Sequence, residues 1–141
     1  MASENEEMAQ RAYAAFSRSG VEGILGFLDP EIEWRMWEEF ARGSRLFNGH
    51  QGVREVLTLF TENYDDFRAD ADEFIDVDDE RIIVSVCLTG RAKGSGEEQR
   101  FELFHLWKIR DGQAVRLDVY GTREEALEAA RTSSTGPGLA K

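Results

Sequence analysis

The segment Phe101–Gly121, FELFHLWKIRDGQAVRLDVYG, constrains the fold more than any other part of the chain. An Asp-Gly pair between two extended apolar runs is what a two-residue type I′ hairpin turn demands, because both loop positions need positive φ. With Asp111 and Gly112 as the loop, Arg110 faces Gln113 and the register follows by counting. Trp107 then stands opposite Arg116, His105 opposite Asp118, and Leu103 opposite Tyr120. Side chains alternate across a strand, so these three pairs share one face, and Phe104, Leu106, Leu117 and Val119 share the other. Directly opposed Cβ atoms lie about 4.5–5.5 Å apart, which brings His105 and Asp118 within hydrogen-bonding reach. Arg116 can stack on Trp107. The mixed face is either a decorated solvent surface or the lining of a pocket. Leu103, Trp107 and Tyr120 suit water poorly, which favours a pocket.

This hairpin closes a longer pattern. Phe67–Val77, Arg81–Ala92, Gln99–Ile109 and Gln113–Tyr120 are expected strands, separated by Asp78-Asp79-Glu80, Gly94-Ser95-Gly96 and Asp111-Gly112. Such turn formers imply successive antiparallel hairpins. The first half has helical spacing instead. Ser3–Glu6 has capping-box spacing, and Met8, Ala12, Ala15 and Phe16 follow at helical intervals up to Gly20. A short helix over Val21–Leu28 ends at Asp29-Pro30, and Glu31–Met36 alternates as a short strand with Ile32, Trp34 and Met36 on one side. Residues 37–49 have no period and are expected to form a loop, and Gln51–Tyr64 returns to helical spacing. Thr122–Glu125 is a second capping box, opening a helix to about Ala130. Helices followed by an antiparallel meander define an α+β fold. Residues 1–131 are expected to form a single domain, and the Ser, Thr, Gly and Pro of 132–141 a disordered tail.

Charge narrows the classes of partner. A net charge of −11 speaks against nucleic acid and anionic membranes, both of which need a basic face. No apolar run approaches a membrane helix and no signal-peptide pattern opens the chain, so a cytoplasmic protein is expected. The single cysteine, Cys87, lies in an apolar run and is expected to be an inert buried thiol. The two histidines lie far apart without a carboxylate at ligand spacing, a poor metal site; His50 is better explained by helix-entry polarity. The acidic run Asp70–Glu80 lacks the central glycine of a calcium loop and is expected to be a solvated edge and turn.

The order of elements resembles the nuclear transport factor 2-like superfamily, specifically its SnoaL-like polyketide cyclase branch, over about Glu6–Ala130. The resemblance is carried by AYAAFSRSGVEGILGFLDPEIEW, FNGHQGVREVL, GRAKGSG and FHLWKIRDGQAVRLDVYGTREEALEAA in that order. It implies a cone: a curved sheet wrapped with the N-terminal helices around a pocket into which the mixed face of the last hairpin looks. SnoaL-like cyclases use an aspartate on the last long strand as acid/base in an aldol closure, with a histidine on the neighbouring strand; by position these resemble Asp118 and His105. In the more distant ketosteroid isomerases the oxyanion tyrosine falls at Tyr13 and the second oxyanion acid at His105. Their catalytic base falls at Trp34, which takes no proton and speaks against ketosteroid isomerisation. Of the Asp-Arg-Asp set of the epoxide hydrolase relatives, Arg116 and Asp118 alone are matched.

Two functions from different classes follow. One is an acid/base catalyst of the aldol cyclase or isomerase type, without cofactor, acting on a small hydrophobic carbonyl compound. Such a reaction needs a base near neutral in effective pKa and donors for the enolate oxygen. Asp118 would be the base, His105 would orient it or donate to the oxyanion, and Tyr13 or Tyr120 would be a further donor. Trp34, Met36, Trp37, Leu103, Trp107, Arg116 and Tyr120 would line the pocket, although Trp34 and Met36 also suit a plain core. The other is a non-catalytic small-molecule-binding or dimerisation module. Under either reading the apolar face of Phe104, Leu106, Leu117 and Val119 needs a cover, and a homodimer through the outer sheet face would supply it.

Overall fold

The computed structural model describes residues 3–36 and 45–133. Trp37 and residues 134–141 of the expected tail lie outside the described residues. Helix α1 (Glu4–Ser19) begins where Ser3 Oγ accepts from the Glu6 N–H at 3.0 Å, as the capping box requires, and stops at Gly20. A single turn, α2 (Val21–Ile24), passes through a 3₁₀ turn into strand β1 (Leu28–Met36). That strand starts earlier than its alternation suggests and includes Pro30, in the stretch where its pairing is irregular. Strand β2 (Arg45–Asn48) was hidden in the expected loop, because four residues are too few to show a period. Helix α3 (Gly49–Asn63) packs so close to β2 that a Cβ on Gly52 would lie 2.9 Å from the Phe47 carbonyl carbon. Strands β3 (Tyr64–Asp76), β4 (Arg81–Ala92), β5 (Glu98–Arg110) and β6 (Gln113–Tyr120) match their expected positions to within three residues. Helix α4 (Arg123–Ser133) is capped by Thr122 Oγ1 on the Glu125 N–H at 3.1 Å and runs three residues past Ala130.

The six strands form one sheet in the order β2-β1-β6-β5-β4-β3, antiparallel except for the parallel pair β1 and β6. Extra residues on β3 near Asp66 and Asp72, and on β6 at Val115, bend and coil the sheet. Helices α1 and α3 fill its concave side over a core that includes Ile32, Val53, Val86 and Leu117. The acidic segment Asp70–Asp76 lies on β3, at an edge of the sheet, where charge discourages strand addition. Cys87 is buried, and burial pushes its thiol pKa up.

The hairpin forms its turn as expected and then departs from the expected register. Asp111 and Gly112 have φ of 55° and 79°, and Arg110 pairs with Gln113 and Ile109 with Ala114. The next pair is Lys108 with Arg116, so Val115 is an extra residue, a β-bulge. Beyond it His105 faces Val119, Leu106 faces Asp118 and Phe104 faces Tyr120. The expected pairs His105–Asp118, Trp107–Arg116 and Leu103–Tyr120 therefore do not form. The physical reason is face matching. An uninterrupted register would put Leu117 and Val119 on the convex side and Arg116 and Asp118 in the core. One extra residue aligns the apolar faces of both strands inward, at the cost of one irregular ladder position.

The same slip corrects the expected outer face. Leu117 and Val119 lie inside, at 0% and 4% exposure, and belong to the concave core. Phe104 and Leu106 do lie outside, but α4 covers them through Ala126 and Ala130, with Ile83 completing this second small core.

Candidate functional site

The concave face gathers a polar cluster inside an apolar shell. Tyr13 is carried by α1, in which Ala9 and Ala12 bring the helix close to the sheet. Its ring stacks near His105, with centroids 6.0 Å apart, and meets Trp107 edge-on at 5.6 Å. Trp107 Nε1–H donates to the Tyr13 oxygen at 2.9 Å, and the Tyr13 hydroxyl lies 2.6 Å from His105 Nδ1. All three side chains are buried. Burial drives each titratable group to its neutral form: His105 is pushed down to about 4, and the Tyr13 hydroxyl is pushed well above its usual value.

A cavity of about 40 Å³ adjoins this cluster, lined by Tyr13, His105, Trp34, Met36, Leu103 and further apolar side chains. No carboxylate is among its described lining residues. Phe16, Leu57, Phe67 and Ala69 also line a larger groove of about 570 Å³, which continues between the end of α1, α3 and β3. Phe60 and Phe67 stack face to face in the wall, with centroids 5.0 Å apart. These aromatic residues were not among the expected lining. Phe60 stood on the apolar side of its helix, but nothing in the sequence distinguishes a core phenylalanine from one beside a cavity.

Asp118, Arg116 and Tyr120 are on the convex side. Arg116 grips Asp118 with two contacts, Nε to Oδ2 at 2.9 Å and Nη2 to Oδ1 at 3.3 Å, and also reaches Glu33 at 3.4 Å. Arg35, paired with Asp118 across the parallel β1–β6 ladder, places Nε 3.4 Å from Oδ1. Tyr120 is pushed up to about 12, by burial first and the charge of Asp118 second. The expected site residues thus form two groups on opposite faces of one sheet. Tyr13, Trp34, Met36, Leu103, His105 and Trp107 are inside; Arg116, Asp118 and Tyr120 are outside.

Elsewhere the candidates are quiet. His50 Nε2 bonds the Leu28 carbonyl oxygen at 2.9 Å, tying the start of α3 to β1. Among the described residues no three His, Cys, Asp or Glu side chains converge as a metal site, and no helix is long and apolar enough to cross a membrane.

A concave sheet closed by two helices over an aromatic cavity is the cone of the nuclear transport factor 2-like (NTF2-like) fold, and the SnoaL-like domain family matches residues 9–117. The chain belongs to that family. The SnoaL-like domain is similar to an NTF2-like protein from Burkholderia pseudomallei, with 25% identity and a TM-score of 0.74 over 90% of this chain and 97% of that one. It is also similar to TerC, co-crystallized with polyporic acid, with 27% identity and a TM-score of 0.71 over 92% and 99% of the two chains. An NTF2-like protein from Burkholderia thailandensis shares the fold at 20% identity, with a TM-score of 0.73 over 93% and 98%. No curated protein matches the SnoaL-like domain in sequence.

Proposed function

We propose that this SnoaL-like domain binds a small hydrophobic molecule in its cone. The observation that carries the proposal is the neutral Trp107–Tyr13–His105 chain set beside an otherwise apolar cavity. Polar groups buried among apolar ones are costly to arrange, so a set that borders open space supports a ligand-facing role. The 40 Å³ cavity takes one small group, and the adjoining groove of about 570 Å³ offers room for the body of a drug-sized ligand. TerC, co-crystallized with polyporic acid, supports a small organic ligand for this fold.

Binding without turnover fits this geometry better than acid/base catalysis on a carbonyl compound. The carboxylate assigned to proton abstraction, Asp118, is held by two guanidinium groups on the opposite face of the sheet. Among the described residues the cavity offers His105 and Tyr13 as its titratable groups, both held neutral. A homodimer belongs to the same proposal. Helix α4 leaves the β1–β6 side of the outer face open, where Arg35 and Arg116 are about two-fifths exposed. A monomer in sedimentation at micromolar concentration would remove the homodimer.

The binding claim is tested with N-phenyl-1-naphthylamine, an uncharged probe that fluoresces in apolar surroundings. The expected result is saturable enhancement at one site per chain. It should be abolished by Ala69→Trp, which places an indole where cavity and groove meet. Absence of saturable enhancement, or an unchanged response in that variant, overturns the proposal.

A further inference from the structure

Resting on the proposal that the cone holds a ligand, we infer that Phe67, turned inward by a β-bulge, is the gate between the outer groove and the inner cavity and sets the rate at which a ligand passes. Phe16, Leu57, Phe67 and Ala69 border both spaces and so form the neck between them. The Phe67 ring meets Phe16 edge-on with centroids 6.3 Å apart, and it stacks on Phe60 at 5.0 Å. These are contact distances for aromatic rings, so no further group fits between them. A ligand that reaches from the groove into the cavity therefore has to displace one wall of the neck. Phe16 and Leu57 ride on the hydrogen-bonded turns of α1 and α3, and Ala69 ends at its Cβ. Phe67 is half-buried on β3, an edge strand that pairs with β4 alone.

The register of β3 shows how the ring comes to stand there. Tyr64 pairs with Ala92 and Asp65 with Arg91, and the next pair is Arg68 with Thr89. Asp66 and Phe67 together therefore face the single residue Gly90, which is a β-bulge. A regular strand continued from Asp65 would turn Asp66 into the cone and Phe67 out to solvent. The extra residue reverses this: Asp66 pairs with Arg91 at the surface, and Phe67 points into the neck. Asp66 has φ of 55°, a left-handed conformation that a residue with a Cβ adopts at a cost. The opposite strand accommodates the bulge with a glycine, since a Cβ on Gly90 would lie 2.9 Å from the Tyr64 Cβ. On one side of the bulge Tyr64 is anchored, its hydroxyl donating to Gln99 Oε1 at 3.0 Å. The ladder is thus interrupted at the one neck residue that blocks the passage from an edge strand, where rotation of a side chain disturbs the fewest backbone hydrogen bonds.

The test follows association and dissociation of N-phenyl-1-naphthylamine by stopped-flow fluorescence in the wild type, Phe67→Ala, Phe67→Leu and Phe67→Trp. A residue that only lines a site changes mainly the dissociation rate, whereas a gate changes association as well. The association rate constant should rise about tenfold in Phe67→Ala, by less in Phe67→Leu, and should fall about tenfold in Phe67→Trp. Phe67→Leu keeps an apolar side chain in the neck, so the result does not depend on how the alanine variant folds. Asp66→Gly removes the tie to Arg91 and gives the bulge a freely turning backbone, and association should quicken about threefold. Unchanged association in Asp66→Gly overturns the role of the bulge. Equal association rate constants in the wild type and Phe67→Leu, with saturable binding intact, overturn the gate and leave the cavity proposal standing. Absence of saturable binding in the wild type overturns the cavity proposal first.

Discussion

The two faces of the last hairpin solve the same problem in opposite ways. On the concave side Trp107, Tyr13 and His105 bury their polar atoms as neutral groups, each bonded to the next in a chain excluded from water. On the convex side Asp118 is nearly as buried, at 7% exposure, yet it is ringed by Arg35 and Arg116, whose outer atoms still reach solvent. A neutral chain can sit in an apolar core because its groups have little charge to desolvate. A carboxylate needs countercharges that stay partly wet. The difference teaches where a ligand fits: the inner set borders open space, whereas the outer set is closed on itself.

The largest expected effect tests the inner face. Trp107→Ala removes a fully buried indole and should cost about 3–5 kcal/mol in denaturant unfolding. It should also release Tyr13 and weaken probe binding. A loss below 1 kcal/mol would mean that the chain is not part of the packed core.

Acid should separate the faces next. His105 stays neutral in the fold down to about pH 4, whereas in the unfolded chain it gains a proton below about pH 6.5. The unfolded state therefore binds more protons between those values. The stabilisation is fully present above pH 6.5 and lost as pH falls through 4, with a ceiling of about 3 kcal/mol. Urea unfolding at pH 7 and pH 4 should show a smaller drop for His105→Gln than for the wild type. Parallel pH profiles would place His105 in water.

On the outer face, Asp118→Asn removes the carboxylate that Arg35 and Arg116 share, and a loss of about 1–2 kcal/mol is expected, moderated by the solvent exposure of both arginines and by the Glu33 contact that Arg116 keeps. N-phenyl-1-naphthylamine should bind this variant as it binds the wild type. Weakened binding would return Asp118 to the site.

Deletion of Val115 sharpens the comparison by testing the bulge that separates the faces. Removing the extra residue leaves Leu117 and Val119 inside, so a folded protein with a loss of about 1–2 kcal/mol is expected. If the strands instead paired without a bulge, the same deletion would turn both residues outward and unfold the protein. The smallest effect belongs to the cover of the outer face. Thr122→Ala removes the cap of α4 and should cost about 1 kcal/mol, read as a lowered melting temperature.

Much of the fold was legible because its signals are local. The Ser3 and Thr122 hydroxyl caps, the stop at Gly20 and the Asp-Gly turn involve residues within a few positions of one another, and each forms as its chemistry implies. The strands of the second half were legible because residues of alternating character are separated by turn formers. β2 was not, since four residues carry no period. The candidate site was half legible. Tyr13, Trp34, Met36, Leu103, His105 and Trp107 meet inside the cone, but Asp118, Arg116 and Tyr120 were placed with them by counting from a turn whose register lasts only two pairs.

The sequence by itself determined the α+β class, the strands, the turn, and the chemistry available on the hairpin. Tertiary structure decided which of those residues face each other. The bulge at Val115 lowers the free energy only because helices α1 and α3 make one side of the sheet apolar, and no pattern within the hairpin specifies that side. The ring contact of Trp34 with His105 likewise joins β1 to β5 across the cone, with the Tyr13 hydroxyl of α1 beside His105 Nδ1. Residues so far apart in the chain become one site only when the sheet bends around them.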